Sequence, residues 1–397
     1  MVTTRVGIIM NGVTGRMGYR QHLVRSILAI REQGGVQLVD GSRLMPDPIL
    51  VGRNADKLAE IAAQHGIERW TTDLDAALAG DDEIYFDSQL TSVREESLLK
   101  AIAAGKDIYT EKPIAESLEA SLGLARAAAD AGVTVGVVHD KLYLPGLLKL
   151  RRLVDGGFFG RVLSVRGEFG YWVWEGDWQT AQRPSWNYRA EDGGGIAVDM
   201  MPHWSYVLEN IFGSPITAIT ARVATHIPER VDERGNAYPA TADDAAYALI
   251  ELANGVIVSL NSSWAVRVHR DELVEFQVDG TEGSAVAGLH QCVVQHRSVT
   301  PKPVWNPDLV EATQFREQWS VVPDNEVFDN GFKAQWEQFL KARAGEGEHP
   351  YDFLAGARGV RLAEAALQSH AAGRRIELGD LSLQDAPQSA TRLEQAS

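Results

Sequence analysis

Apolar residues in the first third of the chain recur in two alternating rhythms. Short apolar runs stand at residues 5–10 (RVGIIM), 48–52 (PILVG), 83–88 (EIYFDS), 107–113 (DIYTEKP) and 133–138 (VTVGVV). Between them lie stretches whose apolar residues are three and four apart: 22–33 (HLVRSILAIREQ), 55–66 (ADKLAEIAAQHG), 94–105 (REESLLKAIAAG) and 117–132 (SLEASLGLARAAADAG). Continuous apolar runs suit strands buried on both faces, and the 3.6-residue rhythm suits helices. The pattern therefore predicts strand–helix alternation around a parallel sheet, with helices on both faces. Residues 36–48 exceed an ordinary connection and are expected to form a small insertion ahead of the second strand.

The rhythm changes near residue 140. A helix is predicted over 144–157 (LPGLLKLRRLVDGG), and strands then follow in succession at 161–170, 216–225, 245–253, 256–266, 272–280 and 284–288. Ala253–Asn254–Gly255 is a hairpin signal. Strands that follow one another directly predict a largely antiparallel sheet. Residues 226–240 read as a loop, and helical patterns at 329–345 and 353–373 close the ordered part. A chain of 397 residues exceeds one comfortable core. The expected domains are 1–140 and 141–379, followed by a polar, frayed tail at 380–397.

Composition narrows the function classes. A formal net charge of −16 argues against a nucleic-acid partner, which needs a basic face. The lone Cys292 allows no internal disulfide and no CxxC zinc cluster, so no metal is expected. No apolar run reaches the roughly 18 residues of a membrane helix, and the first residues lack a secretory pattern. A soluble cytoplasmic protein with a small-molecule substrate is the expectation.

The first strand runs directly into Gly12–Val13–Thr14–Gly15–Arg16–Met17–Gly18, with Asn11 before it. Glycine permits a tight turn and close backbone approach to a pyrophosphate, and the helix beyond presents free N–H groups. Asn11, Gly12, Thr14, Gly15, Arg16, Met17 and Gly18 are therefore candidate dinucleotide ligands. At the end of the second strand, Gly52–Arg53–Asn54 carries no carboxylate for an adenosine ribose. Arg53 and Asn54 suit a 2′-phosphate, which favours NADP, with NAD as the other possibility.

Two further elements carry chemistry. Glu111–Lys112–Pro113 ends a strand in the nucleotide domain, where ligands of open α/β sheets bind, and Pro113 disfavours helix at Lys112. Gly193–Gly194–Gly195 precedes a helical pattern in which Asp199 and His203 stand four residues apart, on one face. Pro202, inside that pattern, suggests that the helix starts later than the pattern does.

The glycine turn, AGKDIYTEKPIAESLEA and GGGIAVDMMPHW together resemble the glucose–fructose oxidoreductase / inositol dehydrogenase family, written Gfo/Idh/MocA, across nearly the whole chain. The resemblance implies an N-terminal Rossmann domain, doubly wound on a parallel sheet, and a C-terminal α/β domain on an open, mostly antiparallel sheet. In that family the second sheet often forms the interface of a homo-oligomer, here a dimer or tetramer. The resemblance also implies roles. His203 would take the hydroxyl proton of a secondary alcohol, Lys112 would stabilise the developing alkoxide, and Asp199 would hold the substrate and orient the base. Glu111 and Gln89 would lie beside the cofactor.

Two stretches depart from the family pattern. Gln89–Leu90–Thr91–Ser92–Val93–Arg94 replaces a TPNxxH-like stretch, and Asp140–Lys141–Leu142–Tyr143–Leu144–Pro145 replaces N-x-R-F-x-P, leaving Lys141 and Tyr143 as substrate candidates. Residues 171–188 hold four of the ten tryptophans, including Trp172, Trp174 and Trp186, and Arg183 lies among them with Arg189 just beyond. Aromatic faces suit the C–H faces of sugars, and arginine forks suit an anionic substituent. The overall expectation is an NAD(P)-dependent oxidoreductase acting on a sugar, glycoside or polyol. The alternatives are a glycoside hydrolase that works by transient oxidation, elimination, water addition and reduction, and a non-catalytic nucleotide sensor.

Overall fold

The computed structural model describes residues 2–302, 306–310 and 314–386. The chain divides into two compact units. One takes 1–143, 329–361 and the residues from 380 onward; the other takes 144–328 and 362–379.

In the first unit, β1 (Thr3–Asn11) leads into helix α1, which runs Met17–Leu28 in a wide π form and Ala29–Glu32 in α form. Then come β2 (Val36–Gln37), β3 (Arg43–Val51), α2 (Ala55–His65), β4 (Trp70–Thr71), α3 (Leu74–Leu78), β5 (Ile84–Asp87), α4 (Thr91–Ala103), β6 (Asp107–Thr110), α5 (Leu118–Ala131) and β7 (Val135–Val137). Among the described residues the sheet order is β2-β3-β1-β5-β6-β7, with β4 beside β3. All pairings are parallel except β2–β3. Asn11 pairs with Val51 and Asp87, and Asp87 with Thr110, so four strand ends stand level. That register brings the glycine turn, Arg53, Gln89 and Lys112 to one edge of the sheet.

The expected insertion at 36–48 is largely strand. Residues 43–48 belong to β3, paired with β1 from Thr3↔Arg43 to Ile8↔Pro48, and β2 adds an edge. Pro46 hid this, because proline donates nothing to a ladder and so argues against strand.

In the second unit, α6 (Pro145–Asp155) precedes β8 (Val162–Phe169), α7 (Ile196–Phe212) and β9 (Ile216–Ala224). A small hairpin, β10 (Glu229–Val231) with β11 (Ala237–Pro239), replaces the loop expected at 226–240. Strands β12 (Ala245–Leu252), β13 (Ile257–Ser263), β14 (Val274–Gly280), β15 (Gly283–Ala287), β16 (Cys292–His296) and β17 (Ser320–Val321) follow. With β18 (Ile376–Glu377) the order is β17-β16-β15-β14-β8-β13-β12-β9-β18, antiparallel throughout except β8–β13. Helices α6 and α7 pack on one face of this sheet, and Trp204 of α7 donates from Nε1 to Ser262 Oγ of β13 at 2.9 Å.

A single boundary at 140 does not describe the units. Helix α8 (Gly331–Arg343) returns to the first unit because Trp336, Phe339 and Leu340 complete the core formed by Phe86, Tyr109 and Val138. Helix α9 (Phe353–Ala372) passes from the first unit into the second at residue 361. The tail is ordered at its start: Ala386 packs with Leu122 and Ala357, and Arg126 donates to the Leu383 carbonyl. Residues 387–397 lie outside the described residues.

Candidate active site

The glycine turn leaves no room for a side chain at Gly12 or Gly18. Gly12 has φ +84°, and a Cβ there would lie 2.8 Å from the Ser88 carbonyl carbon. A Cβ on Gly18 would lie 2.4 Å from Ser88 Oγ and 2.6 Å from Gly12 O. The Gly15 N–H donates to Gly12 O at 3.0 Å and Tyr19 N–H to Gly15 O at 2.9 Å, closing the turn onto α1. Arg16, the first flanking residue of α1, makes no side-chain cap, and no acidic residue stands in the first turn. Backbone N–H groups and the positive end of the helix are thus left for an anion, which fits a dinucleotide pyrophosphate. Thr14 packs against Gly52, and Met17 opens the helix, half-buried. Arg53 is exposed; the Asn54 side chain accepts from Lys57 N–H at 3.0 Å and caps α2.

A buried polar network lies beneath this turn. Asn11 Nδ2 donates to Tyr85 Oη at 2.8 Å and to Gln89 Oε1 at 2.9 Å, and Tyr85 Oη donates to Asp87 Oδ2 at 2.7 Å. Arg94, missed as a site residue, links the sheet edge. Its Nε meets Asp87 Oδ1 at 3.0 Å, Nη2 the Gln89 carbonyl at 2.6 Å, and Nη1 the carbonyls of Glu111 (3.1 Å) and Pro113. One guanidinium therefore holds the backbone on both sides of Lys112. The Lys112–Pro113 peptide is cis.

Glu111 does not face the cofactor edge with its carboxylate. Oε1 is bonded to His22 Nε2 at 2.8 Å, and Oε2 accepts from Lys112 N–H at 3.1 Å. Burial raises the Glu111 pKa, but the hydrogen bond to and electrostatic pairing with His22, then the nearby charges of Lys112 and Arg94, outweigh it and hold the pKa below the usual carboxylate value. Lys141 bonds its neighbour Asp140 at 2.9 Å, and Tyr143 donates to Gln338 on α8.

In the second unit, α7 begins at Ile196 despite Pro202, so Asp199 and His203 share one face as the spacing predicts. The Asp243 side chain, which no sequence signal marked, caps the helix: Oδ2 accepts from Ala197 N–H at 2.8 Å. A Cβ on Gly195 would lie 2.7 Å from Asp243 Oδ1, which explains the glycine there. Burial raises the Asp243 pKa above the usual carboxylate value. His203 is buried, with Nδ1 2.6 Å from Tyr206 Oη.

The tryptophan-rich segment closes over the same helix. Arg183 Nη2 pairs with Asp199 Oδ2 at 2.8 Å, and its guanidinium lies 4.6 Å from the Trp264 ring and 5.4 Å from Trp174. Trp174 stacks on Phe169, whereas Trp172 and Trp186 are exposed. Arg189 points elsewhere, onto Tyr238 at 4.5 Å, with Asp192 3.8 Å away. Beneath the segment, buried Arg230 pairs with Asp244 at 2.7 Å and stacks on Tyr188, whose hydroxyl pKa burial pushes up to about 12.

Residues 147–286 match the GFO/IDH/MocA C-terminal domain. The chain is 59% identical over 386 residues to D-xylose dehydrogenase of Paenarthrobacter nicotinovorans, covering 96% of this chain and 99% of that one. The chain belongs to the Gfo/Idh/MocA family. Levoglucosan dehydrogenase of Pseudarthrobacter phenanthrenivorans is 27% identical over 256 residues, 60% of this chain and 64% of that protein. The solved structure of a levoglucosan dehydrogenase in complex with NADH superposes with TM-score 0.77 at 21% identity, covering 95% of this chain and all of that one, and so shows the shared fold. As a member of this family the chain is an NAD(P)-dependent sugar oxidoreductase. The glycoside-hydrolase alternative is not favoured, since the relatives are named as dehydrogenases. Among the described residues no helix is long and apolar enough to cross a membrane.

Proposed function

We propose that the sugar oxidised is D-xylose. The 59% identity to D-xylose dehydrogenase across nearly both chains carries this reading. A neutral sugar also agrees with the arginines: Arg183 is paired with Asp199 and Arg189 is stacked on Tyr238, so neither is held ready for an anionic substituent. The test is a dehydrogenase assay with D-xylose, D-glucose, levoglucosan and inositols. A kcat/KM for D-xylose below that for any of the others overturns it.

Roles follow from the chemistry of each unit. Asn11, the Gly12–Gly18 turn and Gln89 hold the dinucleotide, whose nicotinamide supplies the hydride acceptor. Lys112, an ammonium at the strand edge, donates to the reacting oxygen and stabilises alkoxide character. His203 takes the hydroxyl proton, with Tyr206 orienting its ring, and Asp199 binds a substrate hydroxyl. Lys141, Tyr143, Trp172, Trp174 and Trp186 shape specificity. Lys112→Ala and His203→Ala are each expected to lower kcat by about a hundredfold or more. Near-native turnover in a folded variant refutes the role concerned.

NADP is the proposed coenzyme, because exposed Arg53 follows β3 and no carboxylate stands in Gly52–Asn54. Tighter binding of NADH than of NADPH overturns this. A homo-oligomer is proposed through the exposed face of the second sheet, where Tyr247, Leu249 and Ile257 present apolar surface, and a monomer in light scattering refutes it. A cytoplasmic location, beside the pool that recycles the coenzyme, completes the proposal.

A further inference from the structure

We propose that His22 is a positioning residue for Lys112, acting through Glu111, and that Trp336 sets the direction of the line. The inference rests on the reading of Lys112 as catalytic. His22 sits in the π-wound part of α1, fully buried among the rings of Phe86, Phe332 and Trp336, with Phe86 at 4.3 Å and Phe332 at 5.1 Å. An imidazole in such a place needs a reason, because a buried polar ring must be hydrogen-bonded. The reason is a line of bonds crossing the first unit. Trp336 Nε1 donates to His22 Nδ1 at 3.0 Å, His22 Nε2 meets Glu111 Oε1 at 2.8 Å, and Glu111 Oε2 accepts from Lys112 N–H at 3.1 Å.

The direction of the line is fixed by chemistry. An indole N–H only donates, so Nδ1 of His22 accepts and the imidazole proton lies on Nε2. That proton is therefore given to Glu111, and the carboxylate keeps its second oxygen for the Lys112 backbone. Arg94 holds the carbonyls on either side of the same residue. The lysine's main chain is thus tied through its N–H, through the carbonyl before it and through the carbonyl after its proline. Lysine carries much rotamer freedom, and a fixed main chain removes one source of misplacement at the reacting oxygen.

The charged or titratable groups around Glu111 are His22 from α1, Arg94 from α4, and Tyr109 and Lys112 from β6 and its end. Removing the His22 bond leaves burial, which opposes ionisation, with less to offset it. Glu111 then takes up a proton at a higher pH than in the native protein. Activity should fall as pH decreases through that new ionisation, so the acid limb of the kcat profile moves upward.

The experiment compares His22→Leu, His22→Gln and Lys112→Ala in the full chain, measuring kcat against pH, NADPH affinity and Tm. His22→Leu is expected to lower kcat at neutral pH by about 10- to 100-fold, the usual range for groups that orient an active residue, with coenzyme affinity within about twofold. Its acid limb should move up by about one pH unit or more. Glutamine places an amide donor near the position of Nε2 and should restore kcat to within about threefold of native. The proposal is overturned if His22→Leu keeps native kcat and pH profile, or if glutamine rescues no better than leucine. It is also overturned if coenzyme affinity and Tm fall in step with kcat while the acid limb stays in place. Lys112→Ala separates the two readings. Near-native turnover there refutes the role of the lysine itself, whereas a dead Lys112→Ala beside a native-like His22→Leu refutes only the positioning line.

Discussion

Replacing Arg94 by methionine should destabilise the first unit and disable the enzyme together. Arg94 and Asp87 are both almost fully buried, and Nε–Oδ1 is 3.0 Å. Methionine keeps most of the side-chain volume, so the effect is not a cavity. It strands the Asp87 carboxylate with only the Tyr85 hydroxyl at 2.7 Å and the Gln89 N–H at 2.9 Å. It also takes the donor from the carbonyls of Gln89, Glu111 and Pro113. Breaking one side of a buried pair costs about 3–5 kcal/mol, and part of the carbonyl loss is recovered by water, so about 4 kcal/mol is the working figure. For a unit of this size that corresponds to a fall in Tm of about 8–16 °C. Differential scanning calorimetry, run with and without added dinucleotide, reads it. The double variant Asp87→Asn/Arg94→Met should regain part of the stability, since no charge is left unpaired, without regaining kcat, since the carbonyls flanking Lys112 stay unheld. A fall of less than about 4 °C, or a double variant with native turnover, refutes the reasoning.

Three other outcomes are expected. Gly18→Ala places a methyl group 2.6 Å from Gly12 O and should weaken dinucleotide binding by about tenfold or more in a titration followed by nicotinamide fluorescence, and lower Tm by about 2–12 °C. Arg183→Met removes the partner of Asp199 and the cation between Trp174 and Trp264, and should raise KM for the sugar by about tenfold while coenzyme affinity is unchanged; an unaltered KM refutes a role for that pair in sugar binding. His349 is partly buried, with both ring nitrogens shielded from water, and its pKa is lowered to about 4, from an ordinary 6.5. A histidine whose folded pKa is depressed adds stability that is complete above about pH 6.5 and is lost as pH falls toward 4, at most about 3 kcal/mol for this group. His349→Phe should therefore flatten the fall in Tm between pH 6.5 and pH 4; an unchanged slope refutes the assignment.

The local elements were legible because each carries its own signal. The helix end at Gly66 adopts the left-handed conformation that a glycine there implies, as does the one at Gly132, and Ser117 accepts from Ala120 N–H as a helix cap should. The GGGxxxDxxxH pattern put Asp199 and His203 on one helical face, and the helix absorbed Pro202. Only the second half of β3 was legible, because Pro46 opposes strand locally, while the parallel pairing with β1 that extends the strand back to Arg43 is a long-range contact.

By itself the sequence determined the alternation of strands and helices, the glycine turn after the first strand, the family resemblance, and the residue types able to move a proton. Those are properties of short windows, where spacing and residue chemistry are enough. Only the tertiary structure decided that α8 returns to the first unit and brings Trp336 onto His22. It alone showed that Arg94 holds the backbone around Lys112, that Asp243 caps the helix of Asp199, and that Arg183 rather than Arg189 pairs with that aspartate. Each of these joins residues through a polar group wholly or partly withdrawn from water, which must find a partner wherever the fold supplies one, and no local pattern names that partner.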